Sequence, residues 1–94
     1  MTSELKNTNL KVLKALSHPT RLEIVRAVLG HDEITCQELS PRFDISQPTM
    51  SHHFNKLVKA GVLNNRRNGT VWVYSLNQHY IENLGINLKQ LTAN

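Results

Sequence analysis

The first third of the chain alternates apolar and polar residues with a helical period, which predicts two amphipathic helices. The first is expected from about Glu4 to Leu16. Its apolar positions are Leu5, Val12, Leu13 and Leu16. The second begins near Pro19, because proline suits a first helical turn, and Gly30 marks its end. Its inward stripe is formed by Leu22, Val25, Val28 and Leu29.

Two further helix starts follow within a few residues of each other. Thr35 and Glu38 have the spacing of a capping box, which predicts a short helix over 36–42. Ser46 is a good N-cap for a second helix over 46–60. Two short helices joined by a tight turn predict a helix-turn-helix.

Beyond the helix-turn-helix, the pattern changes from helical to extended over 62–76. Asn68-Gly69 lies between two strand-like runs and predicts the turn of a β-hairpin. Trp72 and Tyr74 share one face of the second strand, so we expect both to pack the hairpin against the core.

A last amphipathic helix is expected over 78–91. Its apolar residues are Ile81, Leu84, Leu88 and Leu91. The order helix, helix, helix-turn-helix, hairpin, helix predicts a mainly α winged helix-turn-helix. With 94 residues, the chain forms a single domain over 1–94, since it is too short for a second core.

Charge is concentrated in the centre of the chain. Lys and Arg number 11 against 7 Asp and Glu, a net charge of +4. The segment from Arg42 to Arg67 holds five cations and one acid, Asp44, while the remainder is balanced. Such a segment is typical of a surface that binds nucleic acid, and we predict double-stranded DNA as the partner. No apolar run is long enough for a membrane span and no signal peptide is visible, so we expect a cytoplasmic protein.

The 46–60 helix separates core residues from DNA-facing residues when it is projected at 100° per residue. Its core face consists of Met50, Phe54, Leu57 and Val58. Its opposite side holds Thr49, His52, Lys56 and Lys59, with His53 on a flank towards the protein. We predict base contacts by Gln47, Thr49 and His52. We predict phosphate or mixed contacts by Ser46, Ser51 and Lys56, and backbone or minor-groove contacts by Arg66, Arg67 and Asn68 in the wing.

Three segments, LKALSHPTRLEIVRAV, SQPTMSHHFNKLVKAGVL and RRNGTVWVYSL, together resemble the ArsR/SmtB family of bacterial transcriptional regulators. The resemblance covers about residues 10–80. It implies a homodimer that binds a palindromic operator, usually as a repressor released by an effector. It also implies that the first and last helices build the dimer.

The metal-ligand positions of that family are not occupied by metal ligands in this sequence. One site uses two cysteines, and the matching positions hold Thr35 and Gln37, with Cys36 between them. A second site matches Gln78, Tyr80, Leu91 and Asn94, which do not form a good ligand set. Adjacent His52 and His53 point about 100° apart on a helix, which disfavours a shared metal. A site bridging a dimer, with His18 or His31, is left open. We therefore predict no cofactor and a non-metal effector of unknown identity.

Two alternatives to this repressor hypothesis remain. Cys36 is either a small half-buried apolar residue or a redox-sensitive thiol, whose pKa the start of a helix would lower. The second alternative is a winged helix that binds another protein and not DNA. The basic central segment argues against it, because a protein-binding surface does not need uncompensated Lys and Arg residues. No nucleophile with its base and orienting group is visible, so an enzyme is not expected.

Overall fold

The computed structural model describes residues 7–87, 89 and 90. Its elements are α1 (Asn7–Leu16), α2 (Pro19–Leu29), α3 (Cys36–Leu39), α4 (Gln47–Lys59), β1 (Leu63–Asn68), β2 (Val71–Leu76) and α5 (Gln78–Asn83). A single 3₁₀ turn, Ser40–Arg42, extends α3. This order confirms the predicted winged helix-turn-helix.

The helices begin where the capping signals predict. The Thr35 side chain accepts a hydrogen bond from the Glu38 backbone N–H, and the Glu38 carboxylate accepts one from the Thr35 N–H at 2.8 Å. The Ser46 hydroxyl caps α4 by accepting from the Thr49 N–H at 3.3 Å. Asp44 adopts a φ of 52° in the turn before α4, a conformation that aspartate tolerates better than most residues.

The core is centred on α4, which packs against α1, α2, α3 and β1. Its fully buried side chains are Met50, Phe54 and Leu57. Phe54 meets Tyr74 of β2 edge to face, with ring centroids 4.5 Å apart. Apolar contacts with the core therefore fix the position of α4, the helix that the sequence predicts to contact DNA.

β1 and β2 form an antiparallel hairpin whose register runs from Leu63–Leu76 to Asn68–Val71. The two central turn residues are Gly69 and Thr70, one residue later than the Asn-Gly signal suggests. Gly69 has a φ of 67°, which the first central position of a type II′ turn requires. At its base, β2 also pairs with Ile34 through two backbone hydrogen bonds to Tyr74, of 2.9 and 2.8 Å.

The expectation that Trp72 packs against the core is wrong. Tyr74 is buried, but Trp72 is 43% exposed, although alternation places the two on one strand face. Each residue advances a strand by about 3.3 Å, so Trp72 lies roughly 7 Å nearer the hairpin tip than Tyr74. The guanidinium carbon of Arg67, its cross-strand neighbour, lies 5.3 Å from the Trp72 ring centroid.

The expectation of a continuous helix over 78–91 is also wrong. α5 ends at Asn83, and Gly85 adopts a φ of 85°, which a right-handed helix does not allow. Ile81 is buried and Leu84 is partly buried against the core, as the apolar spacing predicts. Leu88 and Leu91 lie outside the described residues.

Candidate nucleic-acid interface

The two sides of α4 differ as the helical projection predicts. Met50, Phe54 and Leu57 are buried on one side. The opposite side exposes Thr49, His52, Lys56 and Lys59, and Gln47 is exposed in the first turn. An exposed polar and cationic face on a helix that the core holds firmly is suited to contact with a nucleic acid.

The first turn of α4 combines capping with exposed polar groups. Besides accepting from the Thr49 N–H, the Ser46 hydroxyl donates to the Thr49 hydroxyl oxygen at 2.9 Å. Ser46 therefore fixes the side chain of Thr49. The hydroxyl hydrogen and the methyl group of Thr49 remain available to an external partner.

The adjacent histidines occupy different environments. His52 is exposed, whereas His53 is only 7% exposed. The Nδ1 atom of His53 lies 3.5 Å from an Arg21 terminal nitrogen, which can only donate, and the His18 ring centroid lies 4.8 Å away. Burial lowers the pKa of His53 below its usual value, and the nearby His18, Arg21 and His52 lower it further. His53 is thus packed against the protein beside Arg21 and His18, while His52 faces outward.

Ser51 is turned towards the protein rather than fully outward. It is half-buried, and its hydroxyl donates to the Cys36 sulfur at 3.9 Å. Cys36 itself is 7% exposed and belongs to the core, a position typical of a small apolar residue. Burial raises the pKa of the Cys36 thiol, although hydrogen bonds with Ser51 and Tyr74 act in the opposite direction. The redox interpretation requires a lowered pKa, whereas desolvation by burial shifts the pKa of this thiol upward.

The three predicted wing residues have different partners. Arg66 forms two hydrogen bonds to the Glu33 carboxylate, of 2.6 and 2.7 Å. This pair lowers the pKa of Glu33 and partly neutralises Arg66. Arg67 lies over Trp72, and Asn68 is exposed where β1 ends.

A cleft of about 310 Å³ separates the start of α4 from the wing. Its lining includes Gln47, Ser51, Thr70 and Trp72. Of the predicted site residues, Gln47 and Ser51 line this cleft, whereas the wing side is formed by Thr70, Val71 and Trp72 and not by Arg66, Arg67 or Asn68.

Sequence reasoning missed Glu33 and Trp72 as part of this surface. Glu33 lies 33 positions from Arg66 along the chain, and no local pattern relates two residues so far apart. The exposure of Trp72 depends on how far the hairpin extends, which the alternation of residues does not reveal.

The described part of the chain contains no group of three or more His, Cys, Asp or Glu side chains that could hold a metal ion. Thr35 serves as a helix cap, and Gln78 donates to the Glu82 carboxylate at 3.0 Å. Leu91 and Asn94 lie outside the described residues. No described helix has the length and hydropathy that a membrane crossing requires.

Comparison with known proteins agrees with this geometry. A helix-turn-helix domain family matches residues 16–66. The arsenical resistance operon repressor of Staphylococcus xylosus is 39% identical over 77 residues, covering 82% of this chain and 73% of that protein. The transcriptional repressor SdpR of Bacillus subtilis is 42% identical over 66 residues, covering 70% and 72%. The crystal structure of the transcriptional repressor PagR of Bacillus anthracis is 28% identical with a TM-score of 0.74, covering 89% of this chain and 92% of that one.

The domain match includes α2, α3 and α4, and therefore the helix-turn-helix that carries the exposed polar face. The chain belongs to the ArsR/SmtB family of winged helix-turn-helix transcriptional regulators.

Proposed function

We propose that this protein is a homodimeric, sequence-specific DNA-binding repressor that acts in the cytoplasm on a palindromic operator. The observation that carries the proposal is the two-sided α4, buried in the core behind and exposing polar and cationic side chains in front. The two relatives named as repressors support the direction of regulation.

In this proposal the first two turns of α4 read bases. A Gln47 side chain can form two hydrogen bonds with adenine, and the Thr49 methyl group can contact a thymine methyl group. His52 lies three residues after Thr49 on the same face and offers a ring nitrogen to a base edge. Lys56, one turn further, contacts a phosphate.

Ser46 and Ser51 make phosphate or mixed contacts. The Ser46 hydroxyl already interacts with Thr49, and the Ser51 hydroxyl with Cys36. Each must therefore share or exchange a hydrogen bond when DNA binds. We expect smaller losses of affinity from their removal than from the removal of His52.

The wing contacts the DNA backbone or minor groove through Arg67 and Asn68 at its tip. Arg66 contributes when a phosphate competes with the Glu33 carboxylate for its guanidinium. The side chains of Arg66 and Glu33 are both exposed in their ion pair, so the exchange of partners requires little desolvation.

Dimerisation is supported by an apolar patch on α1. Leu10 and Leu13 are 45% and 44% exposed and lie three residues apart on one face. A second copy of the chain would cover them, and two copies would place two α4 helices on the two half-sites of a palindrome. Sedimentation of a Leu13→Glu variant tests this step, since we expect it to shift the protein towards monomer.

The effector is proposed to be a non-metal compound or a protein, because Thr35 and Gln37 occupy the cysteine positions of the family motif. The alternative of a redox-sensing Cys36 is weaker. Its thiol is buried with a raised pKa, and the reactive form is the thiolate.

Operator selection from random duplex DNA with the purified protein tests the function directly. We expect a palindromic sequence, recovered equally in the presence of a chelator or a mild oxidant. A Gln47→Ala variant should select a degenerate base at one position of each half-site, whereas the exposed and remote Gln90→Ala should select the wild-type sequence. Failure to enrich any palindrome would refute the proposal.

A further inference from the structure

A groove of about 480 Å³ lies between α1, the start of α2 and the last turns of α4. Five cations line it together with two alanines. They are Lys11, Lys14, Arg21, Lys56 and Lys59. The groove contains no acidic side chain among its lining residues.

Arg21 is held in a fixed position at this groove. Its Nε donates to the Ala15 carbonyl at 2.7 Å, and one terminal nitrogen approaches His53. Its other terminal nitrogen, Nη2, has no hydrogen-bond partner among the described residues. A guanidinium oriented in this way is prepared to bind an anionic oxygen without further loss of side-chain freedom.

The positive charge of the groove is not compensated within the described chain. The ion pairs of residues 10–87 join Arg26 with Glu23 and Arg66 with Glu33, and neither includes a groove cation. Like charges that share a groove repel one another, and a bound anion relieves that repulsion.

Stabilisation of helix ends does not explain the whole cluster. Lys14 lies in the last turn of α1, and Lys56 and Lys59 lie in the last turn of α4, where cations interact favourably with the helix dipole. Lys11 and Arg21 have no such position. The dipole also gives no reason for the two helix ends to direct their cations into one groove.

The groove continues the polar face of α4. Lys56 is four residues after His52, and Lys59 three residues after Lys56, so all three lie along one side of the helix. A strand whose bases contact the start of α4 carries regularly spaced phosphates past this side. The opposite side of the groove is formed by α1 and includes Lys11 and Lys14.

We propose that the groove binds phosphates of the DNA backbone next to the bases read by α4, so that α1 and Arg21 extend the DNA-binding surface. This inference rests on the proposed function, because it requires a bound operator. Lys11 and Lys14 contribute through charge. Arg21 contributes through the directed hydrogen bonds of Nη2.

The test compares Lys14→Gln with Lys89→Gln, which removes the same charge from an exposed residue outside the groove. Affinity for the selected operator is measured across a range of salt concentrations. Each lost phosphate contact reduces the magnitude of the negative slope of log K against log salt by about 0.9. We expect that change for Lys14→Gln and none for Lys89→Gln. Sedimentation confirms that both variants retain the wild-type oligomeric state.

Neutral methylphosphonate substitutions in the operator then locate the contact. For the wild type, affinity should fall at one or two neighbouring positions, and Lys14→Gln should show no further loss at those positions. Equal salt slopes for both variants would overturn the inference. It would also be overturned if the affinity losses caused by Lys14→Gln and by the methylphosphonate substitution added to each other. Saturable binding of tripolyphosphate without any coupling to a DNA position would also overturn it, in favour of a small-anion site. If no operator can be selected at all, the proposed function fails first, and the two failures are thereby distinguished.

Discussion

Replacing His52 with alanine separates DNA recognition from folding at a single position. The side chain is exposed and forms no hydrogen bond among the described residues, so its removal leaves no buried group unpaired. Exposed substitutions of this kind change the free energy of unfolding by about 0.5 kcal/mol or less. We therefore expect a normally folded variant.

The loss should appear in operator affinity. A side chain that reads a base contributes about 1–3 kcal/mol of discrimination, equivalent to roughly a 5- to 150-fold weaker complex. Affinity for random duplex DNA should change much less, because it depends mainly on phosphate contacts. The assay is a fluorescence-anisotropy titration of the selected operator and of a scrambled duplex, at one salt concentration.

His53→Ala provides the contrasting variant at the next position. His53 is buried beside Arg21 and His18, so its removal should lower the unfolding midpoint in urea. Any loss of DNA affinity in that variant should accompany the loss of stability.

If His52→Ala weakens operator and scrambled duplex equally, His52 contacts a phosphate and the base-reading assignment is refuted.

Three further predictions concern the wing, the end of α4 and the response to pH. Arg67→Ala should weaken operator and random DNA alike and flatten the salt dependence of binding, and an unchanged salt slope would remove Arg67 from the interface. Gly61→Ala should lower the free energy of unfolding by about 2 kcal/mol or more, since Gly61 has a φ of 86° and an added Cβ would lie 2.7 Å from the Tyr80 ring. In urea unfolding, Gly61→Ala should cost less stability in a Tyr80→Ala background than in the wild type, and an equal cost in both backgrounds would contradict the clash with the Tyr80 ring. The lowered pKa of His53 means that the unfolded chain binds this proton more readily, so stability should fall as the pH decreases below about 6.5. Urea midpoints at pH 7.5 and 5.5 should differ less in His53→Gln than in the wild type, and equal differences would exclude His53 as the source.

Local signals predict the helix starts and the helix-turn-helix. Thr35 and Ser46 cap helices through their own side chains, so residues a few positions apart determine the outcome. The outward direction of His52 also follows from local geometry, because the helical period alone separates it from the core residues.

Tertiary arrangement determines the features that the sequence pattern did not predict. The early end of α5 is an exception with a local cause, because the positive φ of Gly85 ends the helix although the apolar spacing through Leu84 suggests that it continues. The pairing of Arg66 with Glu33 joins distant parts of the chain. The half-burial of Ser51 depends on the position of α3, which no property of α4 specifies.

The pairing of Ile34 with Tyr74 anchors the hairpin at one end only. Its base is held by backbone hydrogen bonds, while the end around Gly69 has open space around it. Substitutions near the tip consequently alter few contacts of the core, whereas the base positions tolerate little change. If the wing contacts DNA as proposed, substitutions at its tip would change DNA preference without a matching loss of stability.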